Sequence, residues 1–197
     1  MKKKSFYLLV MMMMAISAHA QNEVGQVTLK PMVGINLATV TDLHDSDMRI
    51  GIAAGAEAEF GVAESFSISA GALYSMQGCK FSESGEELTI KADYINMPIL
   101  ANYYVIPGLA IKAGIQPAFN VSDKAEAEAG GISAEVDLDN LGIDVNGFYL
   151  SIPVGASYEY KNFVLDARYN IGVTKAARDL DSKHNVFQFT LGYKFSL

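Results

Sequence analysis

The sequence predicts an all-β protein, an eight-stranded antiparallel up-and-down transmembrane β-barrel. Three observations lead there. Eight segments alternate apolar and polar residues with a period of two, so each has one apolar and one polar face. Their connections alternate between long polar loops and short turns, the pattern of a barrel with long outer loops and short periplasmic turns. Gly34, Gly51, Gly55, Gly71, Gly114, Gly155, Gly172 and Gly192 all fall on polar faces. Small side chains belong where strands converge on a narrow lumen, so the polar face is the interior. A soluble lipocalin-type barrel would put the apolar face inside, and the glycines argue against it.

The first segment, 26–38, sets Val27, Leu29, Val33, Ile35 and Leu37 against Thr28, Lys30, Gly34 and Asn36. After a polar loop, 41–47, the second (49–60) sets Ile50, Ile52, Ala54, Ala56, Ala58 and Phe60 against Arg49, Glu57 and Glu59. A short turn leads to the third, 66–77, with Ile68, Ala70, Ala72, Tyr74 and Met76 opposite Ser67, Ser69, Ser75 and Gln77. Residues 78–92 read as a loop. The fourth segment, 94–104, opposes Ile95, Met97, Ile99, Ala101 and Tyr103 to Asn96, Pro98 and Asn102, and Ile106-Pro107-Gly108 signals a tight turn. The fifth, 109–121, opposes Leu109, Ile111, Ala113, Ile115 and Phe119 to Lys112, Gln116 and Asn120. The longest break is 122–146. The sixth (148–159) and seventh (163–174) follow, joined by a turn at 160–162. The eighth, 186–197, alternates to the final residue: Phe187, Phe189, Leu191, Tyr193, Phe195 and Leu197 share one face, and it should close the barrel against the first. Aromatics on the apolar faces gather at strand ends, as two membrane-interface girdles require.

The chain opens Met1-Lys2-Lys3-Lys4, continues apolar from Phe6 to Ile16, and reaches Ala18-His19-Ala20. A basic start, a short apolar run and an A-x-A site describe a secretory signal peptide over 1–20, cleaved before Gln21. The barrel domain is then 21–197. Loss of Lys2, Lys3 and Lys4 leaves 12 of the 15 basic residues against 22 acidic ones, a formal charge of −10, which disfavours nucleic acid as a partner. Cys79 is the single cysteine, which excludes an intramolecular disulfide and a cysteine metal site. An exported chain with no long apolar helix that enters a membrane must do so as a barrel, here in the outer membrane.

Inward-facing charges follow from the alternation: Lys30, Glu57, Glu59, Lys112, Glu159, Asp166, Arg168 and Lys194, with Arg49 near the outer end. Dehydrated charges must pair. Neighbouring strands predict Lys30 with Glu57 or Glu59, Lys112 with Glu159, and Asp166 with Lys194. Eight strands enclose a lumen just wide enough for side chains, so a filled, structural network is expected rather than a pore. A narrow ion path along it is the alternative.

Four stretches resemble the PorT-like family of Bacteroidetes outer-membrane β-barrel proteins: Gly71-Ala-Leu-Tyr74-Ser-Met-Gln77-Gly78, Tyr94-Ile-Asn-Met-Pro98-Ile-Leu100, Phe163-Val-Leu-Asp166-Ala-Arg168-Tyr169 and Leu191-Gly192-Tyr193-Lys194-Phe195. The resemblance spans nearly all of the mature chain and implies an eight-stranded outer-membrane barrel. The family's namesake works in a secretion system that exports proteins. Members commonly end near the Tyr-x-Phe, whereas here Ser196 and Leu197 follow.

No catalytic, cofactor or metal site is expected. Asp123, Glu126, Glu128, Glu135, Asp137, Asp139 and Asp144 make 122–146 acidic, and Asp42, Asp45 and Asp47 crowd the first loop. A solvated acidic surface is the plain reading; divalent cations bridging these loops to lipopolysaccharide phosphates is the sharper one. His44 and His184, beside Ser46 and Ser182, are the residues a lipid A-modifying or proteolytic barrel enzyme would use, but nothing in their spacing fixes a triad. The expectation is a non-enzymatic barrel with structural or interaction roles. Its partners would be outer-membrane lipid and lipopolysaccharide, the barrel assembly machinery during insertion, and an envelope protein.

Overall fold

The computed structural model describes residues 24–40, 47–83, 86–129, 132–137, 146–174 and 183–197. The stretch 1–20 read as a signal peptide, and His44, Ser46, Asp42, Asp45, Asp139, Asp144 and Ser182, lie outside the described residues, and so does the side chain of His184. Among the described residues there are eleven strand segments: β1 Val27–Val40, β2 Asp47–Ala63, β3 Phe66–Glu83, β4 Glu86–Asn96, β5 Ile99–Ile106, β6 Leu109–Ala129, β7 Ile132–Asp137, β8 Phe148–Tyr160, β9 Phe163–Gly172, β10 His184–Tyr193 and β11 Phe195–Ser196. They reduce to eight staves and one addition. β4 and β5 are a single stave interrupted at Met97-Pro98, where proline supplies no ladder donor. β10 and β11 are another, interrupted at Lys194. β7 is an outer strand paired to the far end of β6.

Every stave pairs antiparallel with its sequence neighbours, and β1 also pairs with β10 and β11. The register runs from Met32 opposite Gly192 to Val40 opposite His184, with Thr28 opposite Ser196. The sheet therefore closes on itself, and the last segment does close against the first.

Two loops read from the sequence are in part strand. Residues 78–83 and 86–92 continue β3 and β4 as paired strands, with Cys79 opposite Ile90 and Lys80 opposite Thr89. β6 continues past residue 121 to Ala129 and pairs with both β4 and β7. The outer ends of β3, β4 and β6, with β7, thus form a sheet projecting beyond the barrel. Charged residues dominate there, so the apolar alternation that marks the membrane-crossing part is lost, while backbone pairing carries on without it.

The faces lie as the glycines indicate. Ile50, Ile52, Ile68, Ile99, Ile111, Ile115, Leu165, Phe189 and Leu191 are exposed on the outer wall. Lys30, Asn36, Glu57, Ser67, Gln77, Asn102, Gln116 and Arg168 are buried inside. A soluble protein that exposed so continuous an apolar belt would aggregate; in a bilayer the same belt is the solvated surface. Aromatic contacts fall at the two ends of the belt. Phe163 and Tyr193 meet edge-on at 5.1 Å, and Tyr193 meets Phe195 at 4.8 Å, at the short-turn end. At the other end Phe119 meets Phe148 at 5.4 Å and Tyr169 meets Phe187 at 4.3 Å.

Candidate functional site

The lumen is where this chain concentrates its polar chemistry, in layers stacked along the barrel axis. Glycine makes the central layer possible. A Cβ on Gly192 would lie 2.9 Å from Lys30 Cγ, and one on Gly71 would lie 2.6 Å from Glu57 Cγ. The long side chains of Lys30 and Glu57 lie across these glycines to reach the axis.

That central layer gathers three cations and two carboxylates. Lys30 Nζ is 3.0 Å from Glu57 Oε2 and 4.0 Å from Asp166 Oδ2. Lys112 Nζ donates to Asp166 Oδ2 at 2.7 Å. Arg168 takes both acids: Nη2 donates to Glu57 Oε2 and to Asp166 Oδ2 at 2.9 Å each, Nη1 donates to Glu57 Oε1, and Nε lies 2.6 Å from Asp166 Oδ1. None of the five side chains is more than 3% exposed. Toward the short-turn end, Lys194 Nζ donates to Glu159 Oε2 at 2.5 Å and lies 3.4 Å from Glu59 Oε2. Tyr104 Oη donates to Glu59 Oε1 at 2.5 Å, Ser67 donates to the same oxygen, and Asn102 donates to Ser67 and Ser69 at 3.2 Å.

All eight sequence-predicted lumen residues point inward, but two of the three expected pairings are exchanged. Lys30 does meet Glu57. Lys112 pairs with Asp166 rather than Glu159, and Lys194 with Glu159 and Glu59 rather than Asp166. Strand adjacency misleads here because long side chains cross over small ones. Lys112 is opposite Gly155, which is opposite Arg168, so nothing on β8 stops Lys112 from reaching β9. Thr190 is the residue opposite Asp166, four positions before Lys194. The layers also compensate each other: the central one has a cation in excess, the Lys194 layer an acid, and the eight together are neutral.

The contacts directly above the central layer are uncharged, and an Arg49–Asp93 pair lies beyond them. Asn36 Nδ2 donates to Ser75 Oγ at 2.9 Å, and Gln77 Nε2 donates to Ser75 Oγ at 3.0 Å and to Tyr149 Oη at 2.8 Å. Tyr94 and Tyr149 meet edge-on at 4.8 Å and pack with Ala92 and Ala118. Arg49 Nη1 donates to the Gln77 carbonyl and lies 3.5 Å from Asp93 Oδ1, and Tyr74 Oη donates to Asp93 Oδ2 at 2.5 Å. The sequence reading passed over Tyr94, Tyr104, Tyr149, Leu73 and Leu100 as lumen residues. Their signal was available: each shares its parity with an inward Asn or Ser. Asp93 follows no such parity: it stands opposite Met76, on the face that carries its partner Tyr74, beside a register irregularity that leaves Val121 of β6 unpaired.

On the outer sheet Lys91 Nζ is 2.7 Å from Glu126 Oε2 and 3.6 Å from Glu135 Oε1, and Lys124 also lies 3.6 Å from Glu135. The hydrogen bond to Lys91 holds the Glu126 carboxyl below the usual range, and raises the Lys91 ammonium. Cys79 is buried against Phe81 and Ile90, and that burial pushes its thiol up to about 11. Among the described residues no three of His, Cys, Asp and Glu converge on a point that could hold a metal ion. Nor, among them, is any helix long and apolar enough to cross a membrane, which says nothing of a chain that crosses with strands.

Solved structures with the same architecture are small membrane barrels. Ail, the attachment invasion locus protein of Yersinia pestis, is 14% identical in its crystal structure, with 88% of this chain and 100% of that one covered at a TM-score of 0.50. The same protein in a phospholipid bilayer nanodisc is 12% identical over 87% of this chain and 99% of that one, again at 0.50. Neisserial surface protein A is 11% identical over 86% of this chain and 97% of that one, at 0.48. At such identity the likeness is one of fold. A search among curated proteins finds no match. The family model for the outer membrane protein beta-barrel domain matches residues 19–178, well over half of the chain, so this protein belongs to the outer membrane protein beta-barrel domain family and resides in the outer membrane.

Proposed function

We propose that the protein is a non-enzymatic, non-conducting barrel that anchors an acidic outer sheet for interaction with an envelope or extracellular partner. The observation that supports this best is the central lumen layer, in which Lys30, Glu57, Lys112, Asp166 and Arg168 interlock across the axis. A hydrated ion entering would have to break pairs made in a region of low dielectric, where each is strong. What the barrel offers outside is the sheet of β3, β4, β6 and β7, bearing Asp123, Glu126 and Glu135. Export through the signal peptide 1–20, insertion by the barrel assembly machinery, contact with lipopolysaccharide and a PorT-like place beside a secretion machine complete the proposal. The last rests on the four motif resemblances. The test is electrical. Purified mature protein in planar bilayers should give no stable single-channel steps at about 1 M salt, where exposed charges are screened within a few ångströms. Reproducible steps would refute the filled-lumen role and favour the narrow channel.

A further inference from the structure

The outer wall is not uniformly convex. A groove of about 550 Å³ indents it where β1, β10, β9 and β8 run side by side. Its floor is made by Ala156 and Ala167, which are register partners, and its walls by Leu165, Leu191, Phe189 and Ile35. The registers place it in the half of the belt nearer the short turns: Tyr158 opposite Leu165 at its lower end, Ile35 opposite Phe189 at its upper. In an outer-membrane barrel that half faces the periplasmic leaflet, whose lipids are phospholipids.

A cation stands at the groove's lower rim. Lys161 occupies the two-residue turn between β8 and β9, about three residues or roughly 10 Å beyond the Tyr158–Leu165 pair. Among the described residues it is the only Lys or Arg in the short turns. Its position is held from two sides. The turn is pinned by Asn162 Nδ2 donating to the Lys194 carbonyl at 2.9 Å, and by the Lys194 amide donating to the Asn162 carbonyl at 2.7 Å. Lys161 Nζ lies 5.6 Å from the centroid of the Tyr160 ring, at the level of the aromatic girdle.

We propose that this wall is a binding site for one phospholipid of the periplasmic leaflet, with an acyl chain in the Ala156–Ala167 groove and the phosphate on Lys161. A second barrel's broad, stiff wall would bridge the indentation without reaching its Ala156–Ala167 floor. A flexible chain does reach it, and dispersion contacts with the groove walls hold the chain better than those with the flat belt elsewhere. The charge order suits an anionic phosphodiester: the rim cation lies where the headgroup of that leaflet sits, on a chain that is otherwise acidic.

Native mass spectrometry of the full mature barrel in detergent, with dioleoylphosphatidylglycerol added, tests the site. One lipid should be retained per barrel. Ala167→Leu or Ala156→Leu, each filling the floor with an apolar side chain on a lipid-facing position, should lower retention roughly tenfold. Lys161→Gln should lower it by a similar factor of roughly ten. Dioleoylglycerol, which has no phosphate, should bind more weakly and show no dependence on Lys161. Ala70→Leu, on the outer face of β3, should retain lipid like the unaltered chain, and heat-modifiable gel mobility shows that each variant folds. The site is overturned if the floor variants or Lys161→Gln bind as the unaltered chain does, or if Ala70→Leu loses lipid equally. Preferential retention of lipid A, or a dimer mass abolished by Ala167→Leu, would assign the groove to the outer leaflet or to a second copy and overturn it as well.

Discussion

Removing Glu57 should destabilise this barrel more than removing Arg168, although the two are partners. The reasoning is one of charge count within the central layer. Without Arg168, Lys30 still has Glu57 at 3.0 Å and Lys112 still has Asp166 at 2.7 Å, so two cations face two carboxylates. Without Glu57, Lys30, Lys112 and Arg168 share Asp166 alone, and each is almost fully buried. Breaking a buried pair and stranding its partner costs about 3–5 kcal/mol. Glu57→Ala should fall in that range, a shift of at least roughly a hundredfold in the folding equilibrium. Arg168→Met should cost less, since it strands no charge and its stem is replaced by apolar volume. The double variant should be more stable than the sum of the single costs predicts by at least about 1 kcal/mol, because the second change removes a cation the first left without its acid. Glu57→Gln, which keeps an acceptor, should lie between. The assay is urea unfolding in lipid vesicles, followed by gel mobility of unheated samples, since the chain has no tryptophan to report by fluorescence. A Glu57→Ala variant within about 1 kcal/mol of the unaltered chain would show that the lumen is wet enough to solvate the stranded cations, and the compensation argument would be wrong.

Two further expectations concern the outer sheet. With its thiol pushed up to about 11 and buried under Phe81 and Ile90, Cys79 at pH 8.5 is almost wholly protonated. Maleimide should therefore label it at least about tenfold more slowly in the folded barrel than in urea, and equal rates would contradict its packing. The Glu126 carboxyl is held low by Lys91, so its contribution to sheet stability is present above the ordinary carboxylate value and is lost as pH falls through the lower folded one. Lys91, held high, contributes fully below the ordinary lysine value and loses its effect as pH rises through the raised one. Amide resonances of 86–91 and 124–126 should thus hold steady between those limits and shift at both extremes; Lys91→Met should abolish the alkaline shift and move the acidic one up toward the ordinary carboxylate range, with little change in global stability because the pair is solvent-screened.

The sequence by itself determined the architecture that crosses the membrane. Period-two alternation is a direct consequence of strand geometry, and lipid outside with side chains inside demands that alternation on every stave, so Phe187 to Leu197 could be read residue by residue. The glycines were legible for a related reason. Gly71 and Gly192 lie where Glu57 and Lys30 must pass, and such crowding exists only inside a narrow barrel. Only the tertiary structure decided who meets whom in the lumen. Pairing of Lys112 with Asp166 depends on a reach across Gly155 from β6 to β9, which adjacency of strands does not encode. The register irregularity beside Asp93, and the outer strand pairings of 79–83 with 86–90 and of 124–129 with 132–137, were hidden likewise. Beyond the bilayer both faces of a strand meet water, so backbone pairing persists where the side-chain pattern that announces it does not.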